Sequence, residues 1–311
     1  MKRKTIMRMY SAACAGIALL TLSACGGGGD PLETDDDDAA TDGDSAELVV
    51  GSQQYYSNTI IAEIYAQVLE HEGHEVQREF EIGQREVYIP ELESGAIDVF
   101  PEYTGNLAAY IDPDTDSGDP DSVHAALVDV LPEGLEALDY AAATDQDSYV
   151  VTAEFAEENN LTTVADLDDV DEDLSIAANS EFETRPYGIG GLADTYGVEL
   201  TLVPVEDSGG PLTLRALLDG DVEVANIYSA DPAIEDNDLV ILEDTESLVL
   251  PQNVVPVVSE NVDDQARDAI NEVQSVLDQQ ALLDINAYSQ STQDSPADVA
   301  QWWLDDQGML D

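Results

Sequence analysis

Tyr103 and Tyr228 occupy the same place in two matching stretches of the chain. Leu92-Glu-Ser-Gly95-Ala-Ile-Asp-Val-Phe-Pro-Glu-Tyr103-Thr104 is echoed by Leu218-Asp-Gly220-Asp-Val-Glu-Val-Ala-Asn-Ile-Tyr228-Ser229. In each, a helical pattern ends at the glycine, a strand pattern begins two residues later, and a tyrosine stands eight residues past the glycine. The copies are 125 residues apart, about the length of one domain. A tyrosine just beyond the carboxyl end of a strand faces the crevice where open α/β sheets bind ligands. Two such lobes can close on a small molecule between them. Their phenol rings would offer it the negative face of a π-system, which attracts a cation even when that cation has no N–H to donate.

The elements that must carry these rings alternate between strand and helix. Leu48–Val50 reads as a short apolar strand, and Ile60, Ile61, Ile64, Val68 and Leu69 follow with helical spacing up to Gly73. Val76–Ile82 is strand-like, Val87–Leu92 helical and Ile97–Phe100 strand-like again. A second series follows Leu161, with strands at Leu174–Ala177, Leu200–Val205 and Val222–Ile227 and helices at Gly188–Tyr196 and Leu212–Leu218. Strands separated by helices of this length imply a parallel sheet in an α/β fold. From about Asp263 to Leu310 the pattern is helical, with Pro296 opening the last helix after a Ser295 cap.

Charge narrows the setting. The 311 residues hold 68 Asp and Glu against nine Lys and Arg, a net charge of −59. Such a chain would repel nucleic acid and anionic membrane surfaces alike. Lys2, Arg3, Lys4 and Arg8 precede the apolar run Ala15–Leu22, the pattern of an export signal over residues 1–24. Leu22-Ser-Ala-Cys25 then resembles a bacterial lipobox, so Cys25 is expected to carry lipid and begin the mature chain. Residues 25–46, rich in Gly and Asp, read as an acidic flexible tether. Beyond Cys25 the only basic residues are Arg78, Arg85, Arg185, Arg215 and Arg267, and there is no lysine. That balance implies a halophilic protein, exported and working in strong brine, where a Debye length near 3 Å screens its self-repulsion.

Specific segments are similar to one known group. Val50-Gly-Ser-Gln-Gln-Tyr-Tyr56, Glu63–Glu70, Gly83-Gln-Arg-Glu-Val87 and Ile97-Asp-Val-Phe-Pro-Glu-Tyr-Thr-Gly105 carry the likeness in the first half. Phe182-Glu-Thr-Arg-Pro-Tyr-Gly188, Tyr228-Ser-Ala-Asp-Pro-Ala-Ile234 and Pro251-Gln-Asn-Val-Val-Pro256 carry it in the second. The chain resembles the substrate-binding proteins of ABC importers for glycine betaine, choline and related quaternary ammonium osmolytes. The resemblance implies a two-lobed, periplasmic-binding-protein-like α/β fold of type II. Residues 47–147 and 254–311 would form the first lobe and 148–253 the second, with crossings near Asp147–Val151 and Asn253–Val258. It also implies a monomer without cofactor, metal or catalysis, which delivers its ligand to a membrane permease for osmoprotection.

By position, the resemblance assigns Tyr103, Tyr149 and Tyr228 to an aromatic cage and Asp147 to a backbone-carbonyl contact with the cation. It assigns Arg185 and Asn106 to the ligand's anionic end, and a guanidinium suits that end because its fork grips a carboxylate bidentately. Two positions depart from the group: Gln53 stands where a lysine is common, and Gln252 where some relatives have a fourth cage tyrosine. Tyr56 and Tyr187 lie in binding segments and are candidates for the missing ring. Glu206-Asp-Ser-Gly-Gly-Pro211 looks like the segment around a serine-protease nucleophile, but no histidine is set beside it and the α/β pattern contradicts that fold. Two other readings stay open: a binding protein for another zwitterion such as ectoine, and a sensor lipoprotein without a transport role. The charge balance yields a direct expectation: the melting temperature should be higher in about 2 M KCl than in dilute buffer, as differential scanning calorimetry would measure.

Overall fold

The computed structural model describes residues 47–115 and 118–310. The signal and tether assigned to residues 1–46, Cys25 included, lie outside the described residues. In chain order the elements are β1 (Leu48–Gly51), α1 (Tyr56–His71), β2 (Val76–Glu79), α2 (Arg85–Glu93), β3 (Val99–Tyr103), α3 (Thr104–Ile111), α4 (Pro120–Val130) and β4 (Leu135–Ala137). Next come β5 (Asp147–Thr152), α5 (Ala153–Asn159), β6 (Leu174–Ala178), α6 (Ile189–Tyr196), β7 (Leu200–Pro204), α7 (Pro211–Leu218), β8 (Val224–Tyr228), α8 (Ala233–Asp236) and β9 (Leu239–Ile241). The chain closes with β10 (Val254–Ser259), α9 (Asp264–Val276), α10 (Gln279–Thr292) and α11 (Pro296–Gln307).

The strands form two five-stranded sheets of the same pattern, β2-β1-β3-β10-β4 and β7-β6-β8-β5-β9. In each, the first three strands are parallel, as the strand–helix alternation requires. The fourth strand of each sheet runs antiparallel to the third, so the sheets are mixed rather than wholly parallel. The reason lies in the route of the chain. β3 and β8 run toward their tyrosines, whereas β10 and β5 enter their sheets beside those same tyrosines and must run away from them. The pairings Val254 with Tyr103 and Asp147 with Tyr228 fix this register. The two connecting stretches lie side by side, with Thr144 bridging Asn253 and the Asp145 N–H donating to the Gln252 carbonyl.

The echo seen in the sequence is a structural one. Gly95 and Gly220 both end their helices in the left-handed conformation, with φ of 71° and 73°. Each strand begins four residues past its glycine, two later than the sequence pattern places it, and each ends on its tyrosine. β2 is also shorter than expected, stopping at Glu79 ahead of a left-handed Glu81.

Alternation along the strands sorts their side chains onto two faces. Val99, Tyr103, Val254 and Val258 pack with Ile60, Ile64 and Trp303 of the long helices, while Phe100, Val255 and Val257 pack with Tyr88, Leu92 and Leu107 on the opposite face. The helical tail thus covers the first sheet, and its last helix is capped as expected, the Ser295 hydroxyl accepting from the Asp298 N–H at 3.2 Å.

One loop needs glycine for space. A Cβ on Gly188 would overlap the Phe182 carbonyl oxygen, whereas one on Gly190 would meet nothing within 4 Å. Gly188→Ala should therefore destabilise by about 1–3 kcal/mol, because the loop bearing Arg185 and Tyr187 must shift. Gly190→Ala, inside α6, should be neutral or stabilising by about 0.5–1 kcal/mol; urea midpoints of the two variants test the contrast.

Candidate ligand-binding cleft

The ends of β3 and β8 face a cleft between the two sheets, partly open to solvent. Tyr103 and Tyr228 both line it because each closes its strand. Between them stands Tyr55, the residue before α1, with ring centroids 6.3 Å from Tyr103 and 5.0 Å from Tyr228. Phe182 and Tyr187 line another part, their rings edge to face at 6.0 Å. Burial raises the phenol pKa of Tyr55, Tyr103, Tyr187 and Tyr228, so all four present neutral rings at any physiological pH.

Beneath the rings lies a buried polar floor. Glu102 accepts from Arg85 through both carboxylate oxygens, Nε at 2.9 Å and Nη2 at 2.7 Å, and from the Tyr88 hydroxyl at 2.5 Å. The Tyr103 N–H donates to the same group at 2.9 Å, and Gln53 Nε2 stands 3.5 Å away. Burial opposes the charge on Arg85, but Glu102, together with Tyr88 and Tyr187, more than offsets it and the guanidinium pKa is raised. The Asn106 side chain donates to Asp147 at 2.8 Å and accepts from Gln252 at 3.0 Å, while its N–H donates to Gln252 Oε1 at 3.0 Å.

Two carboxyls, Asp145 of the connecting stretch and Asp147 at the start of β5, line the cleft and form no ion pair with any arginine of the described residues. Burial pushes Asp145 up to about 7, the Ala230 N–H opposing the shift through a 3.0 Å hydrogen bond. Burial also raises Asp147, against the hydrogen bond from Asn106. The cleft therefore holds unpaired acidic groups in a poorly hydrated place, an environment short of a cation.

Arg185 lines the cleft from the second lobe, yet reaches across it. Its guanidinium lies 3.0 Å from Glu86 of α2 and 5.7 Å from the centre of the Tyr110 ring. Three other expected residues are not on the cleft wall. Tyr149 packs into the core of the second sheet beside Phe182 and donates its hydroxyl to the Tyr187 carbonyl at 2.5 Å. It lies two residues along β5 from Asp147, about 7 Å farther from the cleft. Tyr56 accepts from Gln290 at 2.9 Å in a neighbouring cavity, and Gln252 sits behind Asn106.

The profile described as the substrate-binding domain of ABC-type glycine betaine transport systems, OpuAC, matches residues 46–306. The chain belongs to the OpuAC family. Members of this family are substrate-binding components of transport systems. Among its relatives are the glycine betaine-binding protein YehZ of Escherichia coli K12 and a glycine-betaine-binding protein of Pseudomonas aeruginosa. The first is 26% identical over 233 residues, 68% of this chain and 74% of its own length. The second is 25% identical over 281 residues, 85% of this chain and 89% of its own. The fold matches a crystal structure of a glycine betaine/carnitine/choline ABC transporter protein with a TM-score of 0.69. That match has 21% identity and covers 85% of this chain and all of the other.

In this OpuAC-family chain, Tyr55, Arg85, Asp145, Phe182 and Asn226 line the cleft without having been expected from the sequence. Tyr55, Arg85 and Phe182 carried a signal, lying inside the Gly-Ser-Gln-Gln-Tyr-Tyr, Gly-Gln-Arg-Glu and Phe-Glu-Thr-Arg-Pro-Tyr-Gly segments; Asp145 and Asn226 carried none. No helix among the described residues is long and apolar enough to cross a membrane. The raised Asp145 makes a prediction about stability. Its folded pKa exceeds the value near 4 of an unfolded aspartate, so the native state holds more protons between about pH 4 and 7. Its contribution to stability is full below that window and is lost as pH rises through it. Melting temperature should fall between about pH 4 and 7, and Asp145→Asn should flatten the fall.

Proposed function

We propose that this protein captures a small quaternary ammonium solute, such as glycine betaine, choline, carnitine or proline betaine, and presents it to the permease of an ABC importer. The observation that carries this reading is the pairing of Tyr55, Tyr103 and Tyr228 with the unpaired carboxyls Asp145 and Asp147 around one cleft. A trimethylammonium group donates no hydrogen bond, so ring faces, apolar contact and nearby negative charge are the attractions left to it. The glycine betaine-binding relatives support the same class of ligand.

In this reading Tyr187 and Phe182 complete the enclosure, and Tyr149 acts from behind by holding the Tyr187 backbone. Arg85 and Gln53 stabilise the floor through Glu102. Asn106 orients Asp147, and Gln252 orients Asn106. Arg185 is the guanidinium within reach of a ligand carboxylate. Closure of the lobes would bury the solute and form the surface that a permease reads. The protein would act outside the cytoplasmic membrane, held there as a monomer by lipid on Cys25. Its acidic surface suits an osmolyte carrier working in brine.

Titration calorimetry in molar KCl with glycine betaine and choline tests the ligand class; no heat of binding with either would defeat it. Tyr103→Ala and Tyr228→Ala should each weaken binding by at least about 1 kcal/mol, roughly fivefold in Kd, whereas the Phe variants, which keep the ring face, should lose much less.

A further inference from the structure

Arg185 is the cleft's outward-reaching cation, and the protein has already given it a carboxylate. Its Nη1 lies 3.0 Å from Glu86 Oε1, and Nη2 reaches Glu86 Oε2 at 3.4 Å. The two ends of this pair come from opposite lobes, Glu86 from the first turn of α2 and Arg185 from the loop before α6. Their surroundings differ: the Arg185 side chain is 10% exposed and that of Glu86 54%. Glu86 makes no other side-chain hydrogen bond among the described residues, so nothing but Arg185 holds it there.

The second cleft guanidinium cannot substitute. Arg85 is buried and satisfied bidentately by Glu102. A ligand that brings its own carboxylate therefore meets a guanidinium whose Nη1–Nη2 edge Glu86 already holds, in a cleft that also contains Asp145 and Asp147. A quaternary ammonium alcohol has no anionic end and leaves the Arg185–Glu86 pair intact.

We propose that Glu86 is a specificity-determining residue: as an internal stand-in for a ligand carboxylate, it biases the cleft toward quaternary ammonium alcohols of the choline type over betaine-type zwitterions. This deepens the quaternary ammonium reading of the cleft and rests on it. The device works by competition, since a like-charged group already engages the guanidinium that the disfavoured ligand's carboxylate would use. A plain clasp between the lobes would behave differently, because its loss would disfavour closure over either ligand to the same degree.

Calorimetry of the purified full chain at constant molar KCl separates the two. Glu86→Gln keeps the shape of the side chain and removes its charge, at a position exposed enough for folding to be unaffected. The ratio of glycine betaine affinity to choline affinity should rise at least about tenfold over wild type. The double variant Glu86→Gln with Arg185→Gln should lose that gain, because no guanidinium remains for the freed subsite. A ratio within about twofold of wild type in Glu86→Gln, with both ligands weakened together, would reduce Glu86 to a clasp and overturn the proposal. Failure of the wild-type protein to bind either ligand would instead defeat the underlying reading of the cleft, and this proposal with it.

Discussion

A carboxylate taken wholly out of water must find donors for its oxygens, and Glu102 finds them in Arg85, the Tyr88 hydroxyl and the Tyr103 N–H. Removing one partner from such a buried pair leaves an uncompensated charge, which typically costs about 3–5 kcal/mol. The floor of the cleft is consequently stiff. α2 is tied to the end of β3, the backbone of Tyr103 is fixed at the rim, and Gln53 is drawn toward the same carboxylate. The ring of Tyr103 has a defined place because a charge beneath it has nowhere else to go.

The same accounting applied to the whole acidic body isolates the unusual groups. Each of the five arginines among the described residues has a carboxylate partner: Arg78 with Glu63 and Glu70, Arg85 with Glu102, Arg185 with Glu86, Arg215 with Asp219 and Arg267 with Glu136. With no lysine in reserve, acidic groups that lie away from water and without a cation stand out. Asp145 and Asp147 are two of them, and both sit where the lobes meet. Desolvation drives Asp145 toward its neutral form, so the protein alone does not stabilise charge there. A permanent cation in the cleft would reverse that preference.

The sequence made the architecture legible wherever periodicity and punctuation agreed. Helix, glycine, strand and tyrosine recur at one spacing in the two halves, and the sheets indeed share one strand order. The mixed character of the sheets was not legible, since hydrophobic pattern carries no direction; it follows from where the connecting stretches enter. Site residues show the same division. Tyr103 and Tyr228 could be found because each terminates a strand. Tyr55 and Tyr56 are adjacent, and which of them faces the cleft is set by the backbone at the start of α1, a detail beneath the resolution of any pattern. Tyr149 shares a strand face with Asp147, but distance along the strand takes it into the core.

One contact between the lobes is buried, Asn286 donating to the Ala230 carbonyl at 2.9 Å, while others are polar and partly exposed: Arg185 with Glu86, and Gln290 with Asp231 at 2.9 Å. Pairs of that kind contribute little in water, about 0–1 kcal/mol each, and less in strong salt. Tyr55 against Tyr228 is the aromatic exception, one ring from either side of the cleft. A weakly clasped pair of lobes can respond to whatever is placed between those rings. If a cation binds between them, attraction to the ring faces and to Asp145 and Asp147 acts on both lobes at once. The free energy that recognises the ligand is then also the free energy that closes the protein, and no separate switch is needed to couple them.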